Sequence, residues 1–193
     1  MGPRTVVTSA SCLYGHGFGG EKASFWNDKF EFWPAINGEN DTPYGSFEYD
    51  TAYVFEGWIT EYDGTYASVS AYNIGLITLA EPVGDSTGYL GYWNFDDDAD
   101  DLDTNLVDYA HDKEPAYTMW RSGCNISNAD IMETSFVHDC DVSDADAPLF
   151  VYDKSEDSRY LIGMHVATTG DDRNVAIRMY GPIFEWIDSL DGD

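Results

Sequence analysis

Short apolar segments alternate with turn-forming residues along most of the chain. Segments rich in Val, Ile, Tyr, Thr and Phe are separated by Gly, Pro, Asn and Asp. This pattern is typical of β-strands that are joined by turns. It predicts strands at residues 5–9, 30–33, 49–55, 75–79, 149–152, 160–167 and 174–179, and therefore an all-β fold.

One segment near the C-terminal end of the sequence has a different period. Ile183, Trp186, Ile187 and Leu190 recur at helical spacing and follow a Gly-Pro pair. A proline at the first position of a helix is common, because the nitrogen there has no intrahelical partner. The sequence therefore predicts one amphipathic helix at residues 182–190.

A strongly acidic run lies near the middle of the chain. Six of the nine residues from 96 to 104 are aspartates, a composition that is not compatible with a core. We predict a solvated linker at residues 96–104, between an N-terminal β-barrel (1–95) and a C-terminal β-barrel that carries the helix (105–193). The alternative is that Asp96, Asp98 and Asp100 bind Ca²⁺, which would then be the only cofactor, although the EF-hand spacing is absent.

Charge is the most unusual bulk property of the chain. It has 36 Asp and Glu against 9 Lys and Arg, a formal net charge of -27. Such a surface repels nucleic-acid phosphates and anionic lipids, so we expect no nucleic-acid partner. No apolar run approaches the roughly 20 residues of a membrane span, so we expect no membrane insertion. The charge fits a basic protein partner, a screening medium or plain solubility.

Two weak signals favour a secreted or extracellular protein. The chain has three cysteines, and Asn40 and Asn125 each begin an Asn-x-Ser/Thr glycosylation sequence. Residues 1–4 lack the apolar stretch of a signal peptide, so a signal was removed or the chain starts downstream of it.

Several short motifs, in the correct order, resemble those of trypsin-like serine proteases. Residues 2–15 resemble the strand that carries the catalytic histidine, and residues 79–84, 87–91 and 162–167 resemble the glutamyl endopeptidase branch. The resemblance implies two six-stranded Greek-key barrels followed by a C-terminal helix. It also implies that the first barrel lacks its N-terminal strands, which leaves an open edge for a protein partner to cover.

The same alignment implies that the catalytic residues are missing. The histidine, aspartate and nucleophile positions are Ser11, Asn73 and Ala145. The nucleophile loop, which resembles G-[DN]-S-G-S-P in the family, has Ser143 and Asp146 at its glycine positions and Asp144 between them. Acyl transfer needs a nucleophile, a base and an orienting carboxylate, together with a working oxyanion hole. The resemblance therefore implies a pseudoprotease and not an enzyme.

Two further features are implied by the resemblance. His165 matches the histidine that helps to bind the substrate glutamate in glutamyl endopeptidases, so a residual carboxylate pocket is predicted there. The pocket threonine aligns with Cys140, and nearby acids would repel an anion. Cys124 and Cys140 have a spacing similar to disulfides of secreted relatives, so we predict that they pair and that Cys12 stands alone.

The leading hypothesis is an extracellular scaffold or protein-interaction module that retains the protease fold without its chemistry. A second hypothesis is an acidic component of an extracellular assembly that binds Ca²⁺ or docks a basic partner. A third is an enzyme of altered chemistry, in which Asp144 and Asp146 act as an acid/base pair.

Overall fold

Strands form most of the regular structure in the computed structural model, which describes residues 1–17, 25–27, 29–95, 102–143, 146–170 and 173–191. The strands are β1 (Thr5–Thr8), β2 (Tyr14–Gly15), β3 (Phe25–Trp26), β4 (Glu31–Phe32), β5 (Phe47–Val54), β6 (Gly75–Leu79), β7 (Gly91–Tyr92), β8 (Leu102–Asp108), β9 (Trp120–Ile126), β10 (Ser135–His138), β11 (Pro148–Asp153), β12 (Ser158–Thr168) and β13 (Asn174–Arg178).

Helical segments are short, with one exception. They are α1 (Ala10–Leu13), α2 (Glu56–Thr60), α3 (Gly84–Thr87) and α4 (Gly181–Leu190), together with 3₁₀ turns at Tyr66–Tyr72 and Asn128–Asp130. The predicted C-terminal helix is confirmed as α4, with a proline in its first turn. The three shorter helices were not predicted.

The strands build two curled half-barrel sheets. The first has the order β1-β6-β5-β4, and the second has the order β10-β13-β12-β11-β8-β9, with β7 running parallel beside β12. β2 and β3 form a separate hairpin. The predicted all-β class, with two barrel-like halves and a C-terminal helix, is confirmed.

The predicted boundary between the halves falls next to residues that the structure does not describe. Asp96, Asp98 and Asp100 lie outside the described residues, so the linker and the Ca²⁺ hypothesis stay predictions. Residues 102–104, which we assigned to the linker, lie in β8. β7, from the predicted first barrel, pairs with β12 of the second sheet. The division into two domains also stays a prediction.

The apolar stripe of α4 packs where the two sheets meet. Ile183 and Ile187 of the helix are fully buried in a cluster with Ile74, Leu76, Leu161, Met164, Ile177 and Met179. Ile74 and Leu76 come from the first half of the chain, and the other members come from the second half, so this core is shared. Within the described ranges, no helix is long and apolar enough to cross a membrane.

Candidate active-site cleft

The residues that match the histidine and aspartate positions lie side by side. α1 carries Ser11 at the end of β1, and Asn73 immediately precedes the segment that leads into β6. The backbone N–H of Ser11 donates a hydrogen bond of 2.8 Å to Oδ1 of Asn73. The Ser11 hydroxyl lies 2.9 Å from the hydroxyl of Ser9. Two positions that are distant in sequence therefore meet at one place.

The predicted nucleophile loop is only partly described. Ala145 and Asp144 lie outside the described residues, whereas Asp146 and Ala147 each form one backbone hydrogen bond to His165 of β12. The Asp146 N–H donates to the carbonyl of His165 at 2.7 Å, and the His165 N–H donates to the carbonyl of Ala147 at 2.8 Å. Asp146 has a φ of 78°, a left-handed conformation that favours glycine.

A contact that sequence reasoning missed joins this loop to α1. The thiol of Cys12 donates to Oδ2 of Asp146 at 3.0 Å. Desolvation of the sulfur raises the pKa of the Cys12 thiol, and the hydrogen bond to Asp146 raises it further, although the residue as a whole is exposed. A thiol whose pKa is raised carries little thiolate at neutral pH, so Cys12 is a poor nucleophile here. Its position directly after Ser11 was the only signal in the sequence.

A second contact that was not predicted engages a backbone N–H of the nucleophile loop. Ser143 stands at the first glycine position of the motif, and its N–H donates to Oδ2 of Asp108 at 3.3 Å. Asp108 is the last residue of β8. An oxyanion hole needs backbone N–H groups that point at the reacting oxygen, and this N–H points at a carboxylate of the protein instead.

His165 is buried against a second histidine. The side chains of His165 and His138 are 3% and 5% exposed, and Nδ1 of His165 lies 3.2 Å from Nε2 of His138. Desolvation, together with the smaller electrostatic effect of His165, lowers the pKa of His138 to about 4. Desolvation also lowers the pKa of His165, against an opposing effect of Asp146. Both rings are therefore neutral at neutral pH, and His165 presents neither charge nor open surface to a carboxylate. The residual pocket stays a prediction.

The disulfide between Cys124 and Cys140 is present, and Cys12 is free. A ring nitrogen of His138 lies within 4.8 Å of both sulfurs, and this is a ligand set that suits zinc. The two sulfurs are bonded to each other in the disulfide, so neither is a thiolate that could bind a metal. Asn40 and Asn125, which begin the two glycosylation sequences, are both exposed.

Comparison with solved structures defines the fold class. A glutamyl endopeptidase in complex with MPD superimposes with a TM-score of 0.78 over all of this chain and 83% of that chain, at 16% identity. The protease Anisep of Arthrobacter nicotinovorans gives a TM-score of 0.67 over all of this chain and 85% of that chain, also at 16% identity. The protein therefore has the trypsin-like protease fold.

Sequence comparison is consistent with that fold. The chain is 25% identical over 150 residues to a glutamyl endopeptidase of Bacillus licheniformis, which covers 78% of this chain and 43% of that protein. It is 24% identical over 185 residues to an extracellular metalloprotease of Bacillus subtilis, which covers 95% of this chain and 54% of that protein. The chain thus spans about half the length of these relatives. No family model matches it.

Proposed function

We propose that this protein is a catalytically inactive trypsin-fold protein that acts as an extracellular protein-binding scaffold. The observation that carries the proposal is that Ser11 and Asn73 occupy adjacent positions, joined by a hydrogen bond from the Ser11 backbone N–H to the Asn73 side chain. Serine is not a base near neutral pH, and a neutral amide cannot stabilise a charged imidazole. The two residues therefore hold the local backbone together without supplying a base or an anion.

The three histidines near the cleft and the C-terminal sheet do not substitute for the missing base. His16 is 7% exposed and stacks on Tyr62 with ring centroids 3.8 Å apart. His138 and His165 are buried against each other. A general base must reach the proton that it removes, directly or through one water. Rings that are packed in this way are better suited to stabilising the fold.

Carboxylates occupy the part of the cleft where negative charge would develop during acyl transfer. Asp108 accepts the hydrogen bond of the Ser143 N–H, and Asp146 lies beside Cys12. A fixed negative charge there opposes the formation of an oxyanion. The contact with Cys12 argues against an acid/base role for Asp146, because Oδ2 already accepts the thiol and Oδ1 is buried.

The proposal predicts no peptide-bond hydrolysis above the buffer rate. Glutamyl and general peptide substrates would be incubated with the chain, with an active glutamyl endopeptidase as the positive control. Trace turnover from a contaminant would persist in the Ser11→Ala, Cys12→Ala and Asp146→Asn variants. Turnover that any one of these substitutions removes would overturn the proposal.

An extracellular location is supported indirectly. One of the relatives is named as an extracellular protease, and the chain carries the Cys124–Cys140 disulfide. Disulfides persist mainly in oxidising compartments.

The outer edge of β1 is the surface that we propose for a protein partner. Among the described residues β1 has one strand neighbour, β6. The Leu79 N–H donates to the Arg4 carbonyl, so by antiparallel alternation the N–H groups of Val6 and Thr8 face β6 and that of Val7 faces outward. An extended segment could add to this edge as a further strand.

Amide hydrogen exchange tests this edge. In the isolated chain, the Val7 amide is expected to exchange much faster than those of Val6 and Thr8, because it has no strand partner. Its exchange is expected to slow when the native partner binds. Equal protection of all three amides in the isolated monomer, or an unchanged Val7 amide in the complex, would count against strand addition.

A further inference from the structure

A cavity lies on the solvent face of the second sheet, away from the cleft. It has a volume of ≈ 670 Å³ and opens over β8, β9, β11 and β12. Strand alternation explains its position, because Leu106, Leu149 and Val151 point into the core while Asn105, Phe150 and Tyr152 line the outer face. The volume is in the range of small-molecule sites.

Positive charge is concentrated in this cavity. The whole chain has 9 Lys and Arg, and Arg121, Lys154 and Arg159 all line it. Within the described residues, Lys113 and Arg173 form ion pairs, whereas Arg121, Lys154 and Arg159 form none. In a chain with a net charge of -27, three cations that line one cavity without an ion-pair partner in the described part of the chain are an unusual concentration of positive charge.

Both arginines are held in place by neighbours. Nε of Arg121 donates to Oδ1 of Asn105 at 2.8 Å, and Nη2 donates to the same oxygen. A guanidinium has five N–H donors, so the others stay available for a ligand. The guanidinium of Arg159 lies 5.0 Å from the ring centroid of Tyr152. Side chains that are positioned in advance lose less entropy when a ligand binds.

Gly123 forms the open floor of the cavity. Its partner across the strand pair is Asn105. A Cβ at this position would meet only the carbonyl oxygen of Thr104, at 3.7 Å, an ordinary contact. The backbone therefore does not require glycine here, and the missing side chain leaves open space in the part of the cavity beside Arg121.

We propose that this cavity binds a small ligand with one or two oxyanion groups, of the sugar-phosphate or sugar-sulfate class. Guanidinium groups match the geometry of phosphate, sulfate and carboxylate oxygens. A long polyanion is excluded because the acidic surface around the cavity would repel it. Asp103 also lines the cavity, and its carboxylate would accept a hydrogen bond from a hydroxyl of such a ligand.

Titration calorimetry at low salt, with inorganic phosphate, inorganic sulfate and glucose 6-phosphate as probes, tests the proposal. One saturable site is expected, with glucose 6-phosphate binding more tightly than either inorganic ion. Arg121→Gln and Arg159→Gln are each expected to weaken binding by about tenfold, because each removes charge-assisted hydrogen bonds. Gly123→Val is expected to abolish binding by filling the floor.

Arg173→Gln is the matched control, since it removes the same charge from outside the cavity. It is expected to change the affinity less than about twofold, because exposed distant charges are screened. Thermal unfolding of each variant verifies that it is folded. Arg121→Lys keeps the positive charge but removes the planar guanidinium, so it separates the effect of charge from that of paired hydrogen bonds.

The proposal is overturned by the absence of saturable binding for all probes. It is equally overturned if Arg121→Gln, Arg159→Gln and Gly123→Val behave like Arg173→Gln. Neither outcome bears on the proposed loss of protease activity, because the cavity shares no residue with the cleft contacts.

Discussion

Replacing Arg178 by methionine is expected to lower the free energy of unfolding by about 3 kcal/mol. The side chain is 4% exposed, Nη1 donates to the carbonyl of Met132 at 3.1 Å, and Nη2 donates to the carbonyl of Phe95. Its guanidinium lies 4.4 Å from the ring centroid of Phe95. Methionine has a similar length but donates no hydrogen bond, so two carbonyls would lose their partner.

Urea and thermal unfolding measure the effect. For a chain of this size, 3 kcal/mol corresponds to a fall in Tm of about 6–12 °C. Arg173→Met is the control, because Arg173 pairs with Asp130 at 2.7 Å while about half exposed. Exposed ion pairs contribute less than about 1 kcal/mol. Equal losses in the two variants would show that the buried hydrogen bonds of Arg178 add little.

Removing the disulfide is expected to cost a similar amount. Cys124 and Cys140 are 16 residues apart, and closing a loop of that size stabilises a protein by about 3 kcal/mol in the chain-entropy account. Cys140 is 1% exposed in the core of the second sheet. The Cys124→Ala/Cys140→Ala double variant should therefore unfold at markedly lower denaturant concentration than the parent chain.

Cys12→Ala provides the comparison, because Cys12 is exposed and free, and its stability should stay close to that of the parent. Labelling of the unreduced protein should find one thiol. Three labelled thiols, or a double variant as stable as Cys12→Ala, would contradict the expectation.

Strands that are largely apolar on both faces could be predicted from the sequence. The range predicted for β6, residues 75–79, is that of the structure, and β12 and β13 differ from prediction by a few residues at most. α4 was predictable because its apolar residues keep a helical period over the whole element. These elements bury a continuous stripe, and the stripe is visible in the chain before it folds.

The two longest missed strands, β8 and β9, have a polar outer face. β9 carries Arg121, Ser122, Gly123 and Asn125, and only Ile126 among its seven residues is buried. β8 begins inside the acidic segment, so its composition resembled a linker. α1, α2 and α3 have four or five residues each, too few for a helical period to be recognised. Tertiary contacts decide the structure of such segments.

The contacts around Ser11 and Asn73 could not be predicted from the sequence. The resemblance located Ser11 and Asn73 from motifs, and the structure brings them together. The bonds of Cys12 to Asp146 and of Ser143 to Asp108 join residues that are far apart in sequence, and no motif encodes them. The cavity over the second sheet is similar in this respect, because only the order of the strands places Arg121 and Arg159 around one cavity.

The core shared by the two halves constrains how the chain folds during synthesis. Ile74 and Leu76 leave the ribosome well before the helix that carries Ile183 and Ile187. Until α4 emerges, Ile74 and Leu76 lack the part of their core that Ile183 and Ile187 supply. Incomplete burial of this kind slows folding and favours aggregation or chaperone binding. The dense negative charge of the nascent chain would oppose its self-association during that interval.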